Sequence, residues 1–184
     1  MELHGAAGYL IDQFTQDVSN RRDEGWGGSV EKRARFALEC TKAVVNAVGS
    51  KRTAIKLSPW GNFQGMRPSD PLQQFGYLIG ELKKLDIAYL HLVEPRISGA
   101  LESRKVDTAD SNWPVVDMWD RSPLLLGGGY TGETAAEDTQ EYAHRDVAIV
   151  FGRWFIANPD LVTRVEKGWE WNQYDRSTRV LRRR

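Results

Sequence analysis

Residues 87–93 read Ile87-Ala88-Tyr89-Leu90-His91-Leu92-Val93, and nearly every position in this run is apolar. Short runs that stay apolar on both faces are typical of strands buried in a parallel sheet. Three similar runs lie at residues 53–58, 123–126 and 147–151, and Glu2-Leu3-His4 has the character of a fifth, shorter strand. Longer stretches with helical spacing separate these runs. The sequence therefore predicts an α/β fold of βα units around a parallel sheet.

The helical stretches have recognisable ends. The first begins after Ser29, a favourable N-cap residue, and stops at Gly49. The second begins with Pro71 behind the cap residue Asp70. Weaker patterns at residues 133–142 and 159–168 predict two further helices. Residues 97–119 show no clean period and are predicted to form a loop over the strand ends.

The composition excludes several classes of function. The 184 residues include 25 basic and 25 acidic side chains, so the formal net charge is zero and no surface for nucleic acid or anionic membranes is indicated. Cys40 is the only cysteine, which excludes an internal disulfide and leaves no zinc-ligand pattern, so no metal site is predicted. No run approaches the ~18 apolar residues of a membrane span, and no signal peptide is visible. We expect a cytoplasmic protein.

Polar residues follow each predicted strand at the point where the strand ends. Because the carboxyl ends of parallel barrel strands meet on one face, and such folds carry their chemistry there, these residues are expected to lie together. The alternative is that strand ends are simply more polar than strand middles. The residues concerned are His4, Lys56, Ser58, Glu94, Arg96, Gly127, Gly128, Gly129, Gly152 and Arg153.

Four stretches of the chain form a recognisable set: residues 4–14 (HGAAGYLIDQF), 27–36 (GGSVEKRARF), 90–96 (LHLVEPR) and 151–161 (FGRWFIANPDL). In order and spacing, they resemble the Old Yellow Enzyme family of FMN-dependent ene-reductases. The resemblance covers nearly the whole chain but begins at the family's fourth strand. It implies one domain over residues 1–184 with the fold of a partial (half) TIM barrel, about four βα units plus a strand stub.

The resemblance also implies a carbonyl-binding site. In the family, a histidine at the end of the fourth strand and an asparagine or second histidine three residues later donate hydrogen bonds to the substrate carbonyl oxygen. His4 matches the first position, whereas Ala7 stands at the second and its methyl group donates nothing. Tyr9 matches the family's proton donor to the substrate α-carbon. His4 and Tyr9 are thus the implied catalytic residues, and half of the carbonyl clamp is missing.

Other positions match the family's cofactor and substrate contacts. Glycines after the penultimate strand and an arginine after the last one bind the flavin phosphate in the family, and a lysine stands here where the family has an arginine near the flavin ring. The implied cofactor-binding residues are Lys56, Gly128, Gly129, Gly152 and Arg153. The implied substrate-binding residues, on loops that wall the pocket in the family, are Trp60, Gln64 and Trp113.

The departures from the family pattern shape the expected function. The family's first three strands have no counterpart in this sequence, and Ala7 and Lys56 replace family residues. We therefore expect an enzyme that acts on an α,β-unsaturated carbonyl by proton transfer without a cofactor, through isomerisation, Michael-type addition or cyclisation. One alternative is an FMN- and NAD(P)H-dependent ene-reductase completed by another chain or by oligomerisation, and another is a non-catalytic remnant.

A half-barrel would expose two sheet edges and one apolar face, so we also expect a homodimer that binds a small-molecule substrate. The remaining candidate residues have structural interpretations. His91 is expected to be a core histidine with a backbone partner. Glu94 and Arg96 are expected to form an ion pair at a strand end, and His144 to lie on the surface.

Overall fold

A computed structural model describes residues 1–96 and 110–175 of the chain. It contains one sheet of five parallel strands whose spatial order is their order along the chain. The strands are β1 (Glu2–Gly5), β2 (Ala54–Leu57), β3 (Tyr89–Val93), β4 (Leu124–Gly127) and β5 (Val147–Val150). The predicted stub is a full strand, because each residue of β1 has a partner in β2, from Glu2 opposite Ala54 to Gly5 opposite Leu57.

Helices connect the strands. They are α1 (Leu10–Thr15), α2 (Val30–Val48), α3 (Pro71–Lys83), α4 (Trp113–Met118), α5 (Gly132–Glu141), α6 (Arg153–Ala157) and α7 (Leu161–Lys167). Single 3₁₀ turns cover Ser50–Arg52 and Phe63–Gly65. Each strand is followed by at least one helix before the next strand begins, as in a (β/α)₈ barrel.

The predicted ends of the two long helices are confirmed. The Ser29 hydroxyl accepts a hydrogen bond from the backbone N–H of Lys32 at the start of α2, and the helix ends at Gly49. Asp70 caps α3 by accepting from the N–H of Gln73, with Pro71 in the first turn. These caps satisfy N–H groups that have no partner inside a helix.

The connection predicted as a loop at residues 97–119 is partly wrong. Its described part, from residue 110 onward, contains α4 (Trp113–Met118), and residues 97–109 lie outside the described residues. The short helices α1 and α6 were also not predicted. Helices of five or six residues complete fewer than two turns, so their apolar residues cannot display a helical period.

The two faces of the sheet differ sharply. One face packs against α2 and α3, and its leucines and isoleucine are fully buried with the apolar side chains of those helices. These strand residues are Ile55, Leu57, Leu90, Leu92 and Leu126. Because side chains alternate along a strand, the other face carries the intervening residues. There Glu2, His4 and Ala148 are exposed, and Lys56 and Leu125 are half-buried.

The topology confirms an α/β fold and a partial TIM barrel. Five consecutive parallel strands in chain order form part of a barrel wall, and the helices on one face form part of its outer layer. Among the described residues, β1 and β5 are the edge strands and the face that would line a barrel interior is open. This open face, with the carboxyl ends of the strands, carries the predicted site.

Candidate active site

His4 and Tyr9 lie side by side at the carboxyl end of β1. Their ring centroids are 5.3 Å apart with a tilt of 44° between the planes. Both side chains are exposed, so a substrate can reach both rings. Partial burial and the positive charge of Lys56 lower the pKa of His4, although Glu2 opposes the change. The imidazole is therefore neutral at pH 7 and can donate one N–H.

The turn between the two residues has an unusual backbone. Ala7 and Gly8 both have positive φ angles, of 57° and 73°. Ser58 accepts a hydrogen bond from the Ala7 N–H at 2.9 Å, and Gln64 donates to the Ala7 carbonyl at 2.9 Å. A side chain at Gly8 would approach Cβ of Gln64 to 2.9 Å, so glycine is required there. The loop after β2 thus holds the turn that spaces His4 from Tyr9.

The predicted substrate-binding residues separate into two groups. Gln64 contacts the His4–Tyr9 turn, and Trp60 lies on the same loop, where its indole N–H donates to the side-chain oxygen of Asn112. Trp113 lies apart from them, because its indole N–H donates to Glu141 and its ring stacks on His144. The structure therefore brings Gln64, but not Trp113, to the turn that joins His4 and Tyr9.

All of the predicted cofactor-binding residues line one cavity of about 440 Å³ at the ends of β2 to β5. Gly128 and Gly129 have φ angles of 116° and 70°, values that favour glycine. Because neither residue has a side chain, no side chain of their own covers the backbone here. Arg153 lies at the start of α6, next to Gly152. Sequence reasoning missed several further lining residues, including Tyr130, Thr131, Trp154 and Tyr174. Trp154 lies in the stretch 151–161 but was given no role there, and the other three lie outside the four family-like stretches and reach the cavity through the fold.

His91 also lines this cavity, and its expected backbone partner is wrong. Its Nδ1 lies 3.0 Å from a carboxylate oxygen of Glu2, which reaches across the sheet from β1. The small side chain of Ala54, opposite Glu2 on the intervening strand, leaves room for this contact. Burial and Lys56 lower the pKa of His91, with Glu2 opposing, so the neutral ring donates through Nδ1. Among the described residues, its buried Nε2 has no hydrogen-bond partner.

Replacing Gly127 by alanine should destabilise the protein by about 1–3 kcal/mol, because the new methyl group would crowd the buried ring of His91. A Cβ there would lie 3.0 Å from His91 Nε2 and 3.4 Å from Cβ of Val150. The matched control is Gly80→Ala in α3, where nothing lies within 4 Å of the new methyl group. This control should gain up to about 1 kcal/mol from helix propensity. Urea unfolding of both variants checks the prediction, and equal midpoints would contradict it.

The expected ion pair between Glu94 and Arg96 is also wrong. Glu94 is buried and accepts a hydrogen bond from the Asn112 amide at 2.7 Å, and burial raises its pKa. Arg96 instead donates to Asp138 at 2.8 Å. The two residues are separated by Pro95 in the turn that follows β3, and each side chain meets a partner distant in sequence, Asn112 for Glu94 and Asp138 for Arg96. His144 is exposed, as predicted.

Among residues 1–96 and 110–175, no cluster of three or more histidine, cysteine or acidic side chains is placed to hold a metal ion. Within the same residues, no helix combines the length and apolar character that crossing a bilayer demands.

Comparison with known proteins places this geometry in a family. The model of the NADH:flavin oxidoreductase / NADH oxidase family matches residues 1–172. Chanoclavine-I aldehyde reductase fgaOx3 from Penicillium roqueforti is 50% identical over 179 residues, which are 97% of this chain and 48% of that protein. The probable inactive dehydrogenase easA from Claviceps purpurea is 46% identical over 183 residues, again 97% of this chain and 48% of that protein.

The solved structures agree with the sequence relatives. The Old Yellow Enzyme homologue of Zymomonas mobilis superposes with a TM-score of 0.83 at 36% identity, covering 96% of this chain and 48% of that one. The chain thus spans about half the length of the curated relatives it matches. With a family match over most of its length and the same partial barrel, the chain belongs to the NADH:flavin oxidoreductase / NADH oxidase family, that of the Old Yellow Enzymes.

Proposed function

We propose that this chain carries the carbonyl-binding and phosphate-binding parts of an FMN-dependent ene-reductase site that acts on an α,β-unsaturated carbonyl compound. One observation carries the proposal. At the carboxyl ends of one sheet, the chain assembles the His4–Tyr9 ring pair and, beside it, a single cavity lined by every predicted cofactor residue. Unrelated strand-end polarity does not require these residues to share a cavity.

The cavity fits the phosphate end of FMN. Two consecutive glycines with positive φ leave the backbone accessible, and Arg153 supplies a guanidinium group suited to a phosphate. Lys56 lines the same cavity at the register position opposite His4, and its positive charge would help to hold a bound flavin. When bound, FMN supplies the hydride for reduction of the carbon–carbon double bond.

Side chains of this chain then bind the carbonyl oxygen of the substrate and donate a proton to its α-carbon. A hydrogen bond from neutral His4 to the carbonyl oxygen stabilises the negative charge that develops there during reduction. The Tyr9 hydroxyl, on the neighbouring ring, delivers a proton to the α-carbon. Ala7 offers no side-chain donor, and its N–H is engaged by Ser58, so His4 polarises the carbonyl without a second side chain from this turn.

The substrate class is narrowed by the relatives' names. Three relatives at 45–50% identity are named aldehyde reductases, two of them chanoclavine-I aldehyde reductases. We therefore propose a conjugated aldehyde as the first substrate to test. A single hydrogen-bond donor is compatible with an aldehyde, because its unhindered oxygen can approach one imidazole closely.

A second candidate is the proton-transfer chemistry expected from the sequence, without a flavin. The loss of the second donor at Ala7 favours it, because the remaining pair of His4 and Tyr9 suffices for isomerisation or cyclisation of an enone. A relative named as a probable inactive dehydrogenase is consistent with this route. It is the weaker candidate because all five implied cofactor-binding residues line one cavity, which a flavin-free reaction does not require.

An FMN titration tests the cofactor proposal. Arg153→Ala should raise the Kd for FMN about tenfold to a hundredfold, since a hydrogen bond to a charged group contributes about 1.5–3 kcal/mol. Quenching of flavin fluorescence measures the Kd. Arg121→Ala is the control, because it removes one positive charge at an exposed position by the amino end of β4. Equal Kd values for the two variants would contradict the assignment.

The homodimer remains a prediction. The open face of the sheet combines the charged residues Glu2 and Lys56 with apolar Leu125 and Ala148, and β1 and β5 are edge strands in the described part of the chain. We expect a second copy to cover this face, because exposed parallel edges and apolar patches favour association. Sedimentation equilibrium should give twice the 20.9 kDa chain mass at micromolar concentration. A stable monomer would refute the homodimer.

A further inference from the structure

Asp12 is a fully buried acidic residue that the proposed chemistry does not use. It lies in the first turn of α1, one turn after Tyr9, which is the N-cap residue of that helix. One of its carboxylate oxygens accepts a hydrogen bond from the backbone N–H of Gly8 at 2.8 Å. The other accepts from the side-chain amide of Gln16 at 2.7 Å. A buried carboxylate with two donors is costly to create, and so its position requires an explanation.

Gln16 cannot turn its amide around to suit a different partner. Its side-chain oxygen accepts the backbone N–H of Arg67 at 2.6 Å, which fixes its NH₂ group towards Asp12. Arg67 has a φ angle of 108°, and its guanidinium pairs with Asp110 on the loop that follows β3. A chain of contacts therefore runs from Gly8 through Asp12 and Gln16 to the loops after β2 and β3.

The position of Gly8 makes this chain relevant to the site. Gly8 lies directly before Tyr9 in the turn with two positive φ angles, and this turn connects β1, which carries His4, to Tyr9. The hydrogen bond from the Gly8 N–H ties the turn to α1, the helix whose N-cap residue is Tyr9. Without it, the N–H would be buried with no acceptor, at a cost that the turn can avoid by changing its backbone angles.

We infer that Asp12 is a positioning residue, whose carboxylate fixes the turn that holds the His4 and Tyr9 rings in their mutual arrangement. Gln16 orients Asp12 and links it to the loop after β2. The catalytic consequence of this arrangement rests on the proposed function, whereas the arrangement itself does not.

The protonation state of Asp12 gives the inference a direct readout. Burial raises the pKa of Asp12 to about 6, and the hydrogen bonds from Gln16 and Gly8 oppose the increase. Both neighbours are donors, so a protonated carboxyl group would place a third donor between them. We therefore expect the Gly8 contact to be present above pH 6 and weakened as the pH falls below it.

The charged and titratable groups on the elements around Asp12 have partners other than Asp12. On β1, His4 faces Tyr9, and on the loop after β2, Arg67 pairs with Asp110. On α2, Arg33 bonds to Gln74 and Arg35 lies over the Trp26 ring. None of these groups is a cause of the shift in the Asp12 pKa.

Nuclear magnetic resonance of the unliganded protein tests the inference. In the parent chain, the Gly8 amide proton should shift with a midpoint near pH 6, and a nuclear Overhauser effect should connect the Tyr9 and His4 rings. Asp12→Ala should lose both signals. Asp12→Asn should fold, because its amide oxygen can still accept one hydrogen bond. The variant should lose the pH dependence of the Gly8 shift, because an amide group does not titrate. Asp17→Asn is the matched control, because Asp17 is a nearby half-buried aspartate that accepts hydrogen bonds from Ser69 and not from Gly8.

The inference would be overturned if Asp12→Asn kept the parental titration of Gly8, or if a folded Asp12→Ala kept the contact between the rings. If Asp12→Ala does not fold, the Asp12→Asn titration decides alone. These readouts need neither flavin nor substrate. A protein that shows them but reduces no enone would disprove the proposed function and leave the positioning role intact.

Discussion

Replacing Tyr9 by phenylalanine should slow enone reduction about a hundredfold to ten-thousandfold, the usual contribution of a positioned proton donor. The variant keeps the aromatic ring beside His4 and removes only the hydroxyl group. Because the Tyr9 side chain is 53% exposed, the change should leave stability nearly unaltered. The effect is measured as the rate at which the carbon–carbon double bond of a conjugated aldehyde is reduced at saturating FMN and NADPH.

Tyr77→Phe is the matched control for this substitution. Tyr77 packs half-buried against the core from α3, and removing its hydroxyl should leave the rate within a factor of two or three of the parent. A Tyr9→Phe variant with the parental rate would show that the proton comes from another group or from water.

Replacing His4 by alanine should lower kcat about a hundredfold to a thousandfold, as expected when a hydrogen-bond donor to a developing oxyanion is removed. The loss should be large here because Ala7 provides no second side-chain donor to compensate. Since partial burial and Lys56 lower the pKa of His4, the donor is a neutral imidazole throughout pH 7 to 8, and activity should not fall in that range through its titration.

Steady-state kinetics separates this role from simple substrate binding. A donor that acts mainly in the transition state affects kcat more than KM. The control is His144→Ala, because His144 is exposed near Trp113, far along the chain from β1. An unchanged kcat with a raised KM would indicate that His4 only binds the substrate.

Much of the fold follows from local sequence. The apolar runs predict all of the strands to within two residues, and the caps at Ser29 and Asp70 predict the start of both long helices. These features work because strand burial and N-capping depend on side chains within a few positions. Helix α4 escaped prediction because six residues show no period, and its packing against α3 decides its conformation.

The site was predictable only where it coincides with a motif. His4, Tyr9, Gly152 and Arg153 lie in stretches that resemble the family, and the parallel strand order brings them to the carboxyl ends of one sheet. The contacts that support them join residues distant in sequence. The Glu2–His91 contact spans 89 positions and the Gln16–Arg67 contact spans 51, so neither leaves a local pattern. Asp12 bonds to Gly8 and Gln16, each four residues away, but its complete burial depends on the fold around α1 and so could not be predicted from this spacing.

The chain spans only about half the length of its relatives, so the proposed function has to be tested on this chain itself. The most direct test is to analyse the product that the purified protein forms. A conjugated aldehyde is incubated with the purified protein, and FMN and NADPH are supplied together, singly or not at all. The proposed function predicts a saturated aldehyde, heavier by two hydrogen atoms, that forms only when both cofactors are present and in proportion to the NADPH consumed. Conversion to an isomer of unchanged mass without either cofactor would contradict it and favour proton-transfer chemistry by His4 and Tyr9.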